Sequence, residues 1–294
     1  MSLMRFALVA RRATPTNDAL GAVAVLGAAV ETMSPEVALD TLRSGDVALG
    51  RLDVLPTLDG VEDGLWTLGA LEARGVRVLN DAPALLGTHD KLLTRWLLRR
   101  SGVSHPTTWH IRPGRPVPLI RPPVVVKPRF GSWGKDVLRC EDEQSLHAAL
   151  DSFAETTWFR RQGALVQELV QPQGFDLRIV VAAGSVVGAV FRVAAPGEWR
   201  TNIALGGERR PVDEIPAEAS ALAVAAAEAT GGSLVGVDLL PRSRGWTVLE
   251  VNGAVEFTSE YSSTGDVFAD VARALSCAAD DAIDDPRVES VVAA

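Results

Sequence analysis

The sequence predicts a multi-lobed α/β protein with mixed α/β and α+β character. Three observations carry that expectation. The chain has 294 residues, longer than one ordinary single-core domain. Roughly its first 85 residues alternate strand-like and helix-like blocks, as a small parallel sheet with covering helices would. Beyond a proline-rich connector at 112–123, strand patterns follow one another directly, as an antiparallel sheet requires. The expected lobes are an N-terminal α/β lobe over 1–86, a central lobe over 87–163 and a C-terminal antiparallel-sheet lobe over 164–277, with an acidic flexible tail over 278–294.

Met4–Ala10 reads as a short buried strand, and Thr16-Asn17-Asp18 offers caps to a helix over Ala19–Glu31. Ser34-Pro35-Glu36 opens a second, short helix with proline at its favoured first position. Val47–Leu55 is strand-like, Glu62–Arg74 helix-like, and Gly75 stops that helix before a strand at Val76–Leu79. Asp90–Leu98 is a helix capped by Thr88-His89-Asp90. After the connector, Val124–Lys127 and Val137–Cys140 are strands, and Glu143–Phe153 is a helix. Ala164–Val170, Leu177–Ala182 and Val186–Val193 are strands, and Pro216–Thr230 is an Ala-rich helix ended by Gly231-Gly232. A hairpin of Leu234–Leu240 with Trp246–Val251 and a helix over Asp266–Leu275 complete the pattern.

Composition removes several functions. The chain is 47% hydrophobic and 22% charged, which excludes a disordered or collagen-like protein. Its net charge of −8, about half of it in the tail, argues against general affinity for nucleic acid or anionic membrane. Cys140 and Cys277 are too few for a disulfide framework or a Cys-rich zinc site. The opening MSLMRFALVA is too short for a signal sequence, and the longest weakly charged run, Ala19–Val30, reads as a buried helix. A soluble, cytoplasmic protein is expected, without an evident basic patch.

Two segments carry chemistry. Phe130-Gly131-Ser132-Trp133-Gly134-Lys135 joins two strands, so it is neither a Walker A loop nor a Rossmann turn. It reads as a flap whose backbone N–H groups approach phosphate oxygens, with Lys127 and Lys135 supplying charge. An ordinary exposed hairpin tip is the alternative, and an exposed Trp133 speaks against it. The second segment is the last hairpin. If Pro241–Gly245 is its turn, Asp238 and Glu250 are cross-strand neighbours, and Asn252 shares Glu250's face. Three oxygen donors at such spacing suit Mg²⁺; a polar outer face of the hairpin is the alternative, and the apolar Leu239, Leu240, Leu249 and Val251 speak against it, since buried carboxylates without a cation are costly. Arg178, Arg192 and Arg200, with Asn202, form a cationic group suited to neutralising phosphoryl charge, although each alone reads as surface.

VVVKPRFGSWGKDV, then VQELVQPQGFDLRIVVAAGSVVGAVFRVAAPGEWRTNIALGG, then GVDLL and VLEVN resemble, in order and spacing, the ATP-grasp carboxylate–amine ligases. The resemblance runs from about Leu86 to Leu275 and is strongest to the branch containing the ribosomal-protein glutamate ligase. It implies an ATP-grasp fold and nucleotide contacts by Lys91 and Lys127. The Gly131–Lys135 flap would lie over the phosphates, and Gln167, Glu168, Leu169 and Val170 would form an adenine hinge. Asp176 would lie near the ribose or base, and Arg200, Thr201 and Asn202 would serve the phosphate region. Asp238, Glu250 and Asn252 would hold two Mg²⁺ ions, Mn²⁺ being a possible substitute.

EVNGAVEFTSEYSSTGD further resembles the lysine-biosynthesis ligases that join an amino acid to the C-terminal glutamate of a small acidic carrier protein. That likeness places Gly253, Ala254, Glu256, Phe257, Thr264 and Gly265 at the acceptor pocket, Gly253-Ala254 being a departure from the bulkier pair there. The implied reaction makes an acyl phosphate from a carboxylate and ATP, then an amide from an amine. Rivals are glutamylation of a ribosomal protein or coenzyme, free dipeptide synthesis, and a non-catalytic ATP-binding regulator. A homo-oligomer, dimer or tetramer, is implied as well. Arg51, Asp53 and Trp66 are open between acceptor contacts and plain surface, and His89, His105 and His110 read as solvated.

Overall fold

The computed structural model of the protein describes residues 4–281 apart from Leu26, Ser263 and Thr264. Thr264 and the tail beyond Asp281 therefore lie outside the described residues. The first lobe contains β1 (Phe6–Val9), α1 (Pro15–Gly21), β2 (Ala24–Val25), β3 (Ala28–Met33), α2 (Pro35–Thr41), β4 (Val47–Gly50), α3 (Leu65–Glu72), β5 (Arg77–Leu79) and α4 (Ala82–His89). Its sheet runs β2-β3-β1-β4-β5, parallel except where β2 and β3 form a hairpin. Ser34 caps α2 by accepting from the Val37 N–H, with Pro35 in the first turn.

The helix expected over Ala19–Glu31 is absent. α1 ends at Gly21, and the remainder forms β2 and β3, with Val25 opposite Ala28. Gly27 takes φ 72° in the intervening turn, a conformation that favours glycine. Val25 and Val30 face inward while Ala24 and Ala29 face out. That period-two alternation is masked in sequence by so many alanines. α4 was not anticipated, and the expected boundary at 86/87 falls inside it.

The central lobe begins with α5 (Lys91–Arg100), whose Asp90 cap accepts from the Leu92 and Leu93 N–H groups. β6 (Thr108–Ile111), β7 (Val124–Pro128), β8 (Leu138–Cys140), α6 (Glu143–Phe153), α7 (Thr157–Gln162) and β9 (Ala164–Glu168) follow. These strands make an antiparallel sheet ordered β6-β9-β7-β8, so β9 completes the central sheet although it lies past the expected boundary at 164. The third sheet holds β10 (Phe175–Ala182), β11 (Ser185–Val193), β12 (Glu208–Pro211), β13 (Leu234–Pro241) and β14 (Trp246–Asn252), ordered β12-β11-β10-β13-β14. α8 (Ala217–Thr230) precedes β13, and α9 (Val267–Asp281) runs past the expected end at Leu275.

The third sheet is buried on both faces. Ile179, Val181, Val235 and Val237 pack on Ala219, Ala223 and Ala226 of α8. Val180, Ala182, Val190 and Leu234 share a core with Phe6, Leu8 and Leu49 of the first lobe and Val271 of α9. The first lobe thus docks directly on the C-terminal sheet. Among the described residues no helix is long and apolar enough to cross a membrane.

Candidate active site

Strand alternation puts the charges on one face. In β10, Leu177, Ile179 and Val181 face α8, so Asp176 and Arg178 face the other way. In β13, Val235, Val237 and Leu239 face α8, which turns Asp238 to the same side as Arg178, its cross-strand partner. Asp238 also pairs with Glu250 of β14, as the sequence spacing anticipated. A β-bulge makes this possible, because the register shifts between Asp238 and Leu239, which pairs with Val248. Without the bulge at Leu249, Glu250 would lie opposite Val237 and point towards α8.

These carboxylates are tightly held. Arg178 donates to both oxygens of the fully buried Asp238 at 2.6 and 2.7 Å, and Arg192 reaches it at 2.8 Å. Arg192 also grips Asp176 with two hydrogen bonds, one of 2.8 Å, and Thr201 Oγ1 donates to Asp176 at 2.6 Å. Burial works to raise the Asp238 pKa, but Arg178 and Arg192 outweigh it and hold the carboxyl well below the usual range. Burial raises Asp176 instead. Glu250 is less enclosed, and its ion-pair partner is Lys91 at 3.6 Å. Lys91 Nζ also donates to the Gly131 carbonyl, so one ammonium links the glycine loop to the carboxylate hairpin.

Between the central and C-terminal sheets lies a cleft of about 960 Å³, open solvent at its mouth included. Lys91, Lys127 and the whole Gly131–Lys135 loop line it, as do Gln167 to Val170, Asp176, Arg192, Arg200 to Asn202, Asp238 and Glu250. Lys127 is buried and donates to Gln167 Oε1 at 2.8 Å, while Gln167 Nε2 donates to Thr108 at 3.0 Å. Burial pushes the Lys127 pKa down to about 8, against the pull of Glu250 and with the help of Lys91. Val125, Phe175, Leu240 and Leu249 add an apolar wall that the sequence reading missed. Val125 shares a strand face with Lys127, and Leu240 with Asp238, so these walls emerge only once the strands are placed. The loop is conformationally special: Trp133, Gly134 and Asp136 all have positive φ, and a Cβ on Gly134 would meet Asn202 Oδ1 at 2.8 Å. Trp133 is 60% exposed.

Other expected residues land elsewhere. Arg178 is spent on Asp238 and does not line the cleft, so the expected cationic cluster divides into the half-buried Arg178 and buried Arg192, both held by carboxylates, and one loop-facing Arg200. Arg200 donates to the Gly134 carbonyl at 3.0 Å and pairs with Glu198 at 2.8 Å. Lys135 Nζ donates to the Pro56 carbonyl of the first lobe at 3.0 Å. Asp176 clamps Arg192 and Thr201. Asn252 donates to the Gly236 carbonyl at 3.4 Å and lies beside Glu250 rather than on the cleft wall.

The expected acceptor residues are mostly lobe-docking groups. Phe257 is 2% exposed and stacked on Phe268, and its backbone N–H donates to the Thr16 hydroxyl, which donates in turn to the Phe257 carbonyl. Gly253 is buried where a Cβ would meet Thr88 Oγ1 at 2.4 Å, and its carbonyl accepts from Asn80 at 3.0 Å. Ala254 is half-buried beside it, and Gly265 is exposed with φ 116°. Glu256 pairs with Arg51 at 3.1 Å, and Arg51, 3% exposed, also binds Val255 O and Asn17 Oδ1, both at 2.9 Å. Arg51 is therefore not a surface residue, whereas Trp66 is, at 67% exposure. His89 is also buried, not solvated, and burial drives its pKa down to about 3.

The model for the RimK-like ATP-grasp domain matches residues 88–275 of this chain. The chain belongs to the RimK-like ATP-grasp family. With that family it belongs to the ATP-dependent ligases that form C–N bonds. The chain is 34% identical over 219 residues to a probable alpha-L-glutamate ligase of Aeromonas salmonicida, spanning 72% of this chain and 70% of that one. Against the same-named protein of Serratia proteamaculans the figures are 35% over 208 residues, 69% and 68%. In fold it resembles a RimK domain ATP-grasp protein of Sphaerobacter thermophilus (TM-score 0.63, 21% identity, 92% of this chain and 98% of that one). It also resembles a Bacillus anthracis D-alanine–D-alanine ligase complexed with ATP (TM-score 0.65, 16% identity, 94% and 92%). The glycine loop and the carboxylate hairpin of the RimK-like domain both lie inside the matched residues.

Proposed function

We propose that this RimK-like protein is a Mg²⁺- and ATP-dependent carboxylate–amine ligase that joins an amino acid, glutamate foremost, to the terminal carboxylate of a polypeptide. The observation that carries the chemistry is the cleft itself, where a lysine-bearing glycine loop closes over a carboxylate hairpin. The relatives' name, probable alpha-L-glutamate ligase, supports glutamate as the amino acid. The resemblance to carrier-protein ligases rests on Glu256-Phe257 and on Thr264-Gly265-Asp266, and of these Glu256 and Phe257 dock the first lobe. A small acidic carrier ending in glutamate therefore stays within the proposal as one polypeptide among several.

The donor set fits Mg²⁺. Glu250 and Asp238 are paired across the hairpin, and Glu250 is balanced by the Lys91 ammonium at 3.6 Å and by the more distant Lys127. A carboxylate has roughly four acceptor sites. Arg178 and Arg192 occupy three of those on Asp238. Asp238, Glu250 and Asn252 would hold the metal, which supplies positive charge to the phosphate oxygens when bound.

The chain's own groups supply the rest. Lys127, Lys91 and the loop N–H groups hold the nucleotide phosphates. The substrate carboxylate oxygen attacks the terminal phosphorus and ADP leaves, giving an acyl phosphate. The uncharged amine attacks the acyl carbon, phosphate leaves, and the amine proton passes to solvent. No side-chain nucleophile is required, and the loop, with Trp133 at its tip, excludes water from the acyl phosphate. The test is ADP release with Mg·ATP, glutamate and a glutamate-ending peptide. The expected product gains the mass of one glutamate minus water. ADP release with a free amino acid as sole acceptor would move the protein to dipeptide synthesis, and no amide with any carboxylate would refute the proposal.

A further inference from the structure

The net charge of −8 hides a basic surface that the fold assembles from distant segments. Arg112 and Arg115 come from the connector after β6, Arg129 follows β7, and Arg160 and Arg161 lie on α7; with His110 they line a single cleft of about 730 Å³, open solvent included. Arg112 and Arg115 flank a tight turn in which the Arg115 N–H donates to the Arg112 carbonyl at 3.2 Å, with Gly114 at φ 68°. Both are exposed and have no carboxylate partner among the described residues. Of the others, Arg129 is bound by Asp90, Arg161 meets Asp59 at 2.7 Å, and Arg160 lies 3.7 Å from the exposed Glu155. Five guanidiniums thus face three carboxylates, and the surplus sits on the turn.

This cleft is joined to the candidate active site through the segment around Arg129, whose neighbours Pro128 and Gly131 line the active-site cleft. The Arg129 carbonyl accepts from the Lys91 N–H at 3.1 Å. The first-lobe loop that gives Asp59 to Arg161 also gives its Pro56 carbonyl to Lys135 of the glycine loop. A chain whose end enters the active site beside that loop has the arginine cleft next to its exit.

We propose that the arginine cleft binds an acidic segment of the polypeptide substrate, upstream of the carboxylate that is activated. The proposal rests on the reading that this substrate is a polypeptide end. Guanidinium forks match carboxylates in geometry. The exposure of Arg112, Arg115, Arg160 and Arg161 suits a mobile, solvated chain better than a sequestered single ion. Nucleic acid is the poorer fit, because no Phe, Tyr or Trp lines the cleft to stack a base and the whole chain is acidic.

The test pairs Arg112→Glu with Arg115→Glu, neither of which lies in the nucleotide cleft. The probe is a fluorescent oligo-glutamate peptide with an amidated C-terminus, which cannot serve as the activated carboxylate. Controls are the oligo-glutamine counterpart and a single-stranded oligonucleotide. The expected result is selective binding of oligo-glutamate that weakens with salt and falls roughly tenfold in the double variant, with ATP binding unchanged. Equal binding of oligo-glutamine, an unaffected double variant, or preferred binding of the oligonucleotide would overturn the proposal. Because binding is read without turnover, arginine-dependent binding with no amide formed would fault the ligase reading and leave the surface standing. Amide formation that ignores the arginines would do the reverse.

Discussion

The cleft and the seam between the first lobe and the C-terminal sheet make an instructive contrast. In the cleft, Lys127 and the glycine loop converge where charge and glycine spacing point, together with Lys91 and the Gln167–Val170 segment, which the family resemblance implies. At the seam with the first lobe, the buried Gly253 and Phe257 and the partly exposed Glu256 hold the lobes together. Both sets sit in distinctive sequence. The difference is that phosphate binding needs a particular charge or an open backbone, which a residue type announces. Lobe docking needs only a complement from a distant segment. Arg51, Asn80 and Thr16 supply that complement from far upstream, and nothing in their own neighbourhoods marks them.

The contrast can be broken by variants in each region, beginning with the largest effect. Glu250→Gln should lower ligation by on the order of a hundred- to thousandfold, in a protein whose thermal unfolding is nearly unchanged. Ligation rates and melting curves of the variant check both halves. Arg51→Ala should act in the opposite way. It strands the Val255 carbonyl, Asn17 Oδ1 and Glu256, and should cost roughly 3 kcal/mol of stability, read by denaturant unfolding. Glu256 is 41% exposed at its side chain, so Glu256→Gln should cost less.

The same carboxylate hairpin shows how far sequence reading reaches. Asp238 opposite Glu250 was legible from a turn assignment and strand periodicity. The bulge at Leu249 was not, because it depends on how β13 and β14 fit the twisted sheet. The Ala19–Glu31 segment failed for another reason. Alanine favours helix on its own, and only pairing with β1 makes that stretch a strand. The arginine cleft was invisible, since its residues come from three separated segments of an acidic chain.

Lys127 sharpens the comparison by pH. Its pKa near 8 means that it is charged below that value and neutral above it. Nucleotide affinity should therefore fall as pH rises through about 8. Lys127→Arg should remove that dependence, because a guanidinium stays charged throughout, and titration calorimetry across the range reads both. Trp133→Ala should have the smallest effect. An exposed loop-tip indole leaves stability within about 0.5 kcal/mol, while the KM for ATP rises a few-fold and water leakage shows as ADP release without amide.

The most direct test of the ligase account follows an oxygen atom. The peptide carboxylate is labelled with heavy oxygen and incubated with Mg·ATP, glutamate and the protein, and the released phosphate is weighed. Attack by the carboxylate on the terminal phosphorus predicts that each amide formed delivers one labelled oxygen to inorganic phosphate, with none in ADP. Amide formation that leaves the phosphate unlabelled, or sends the label into AMP, would contradict it.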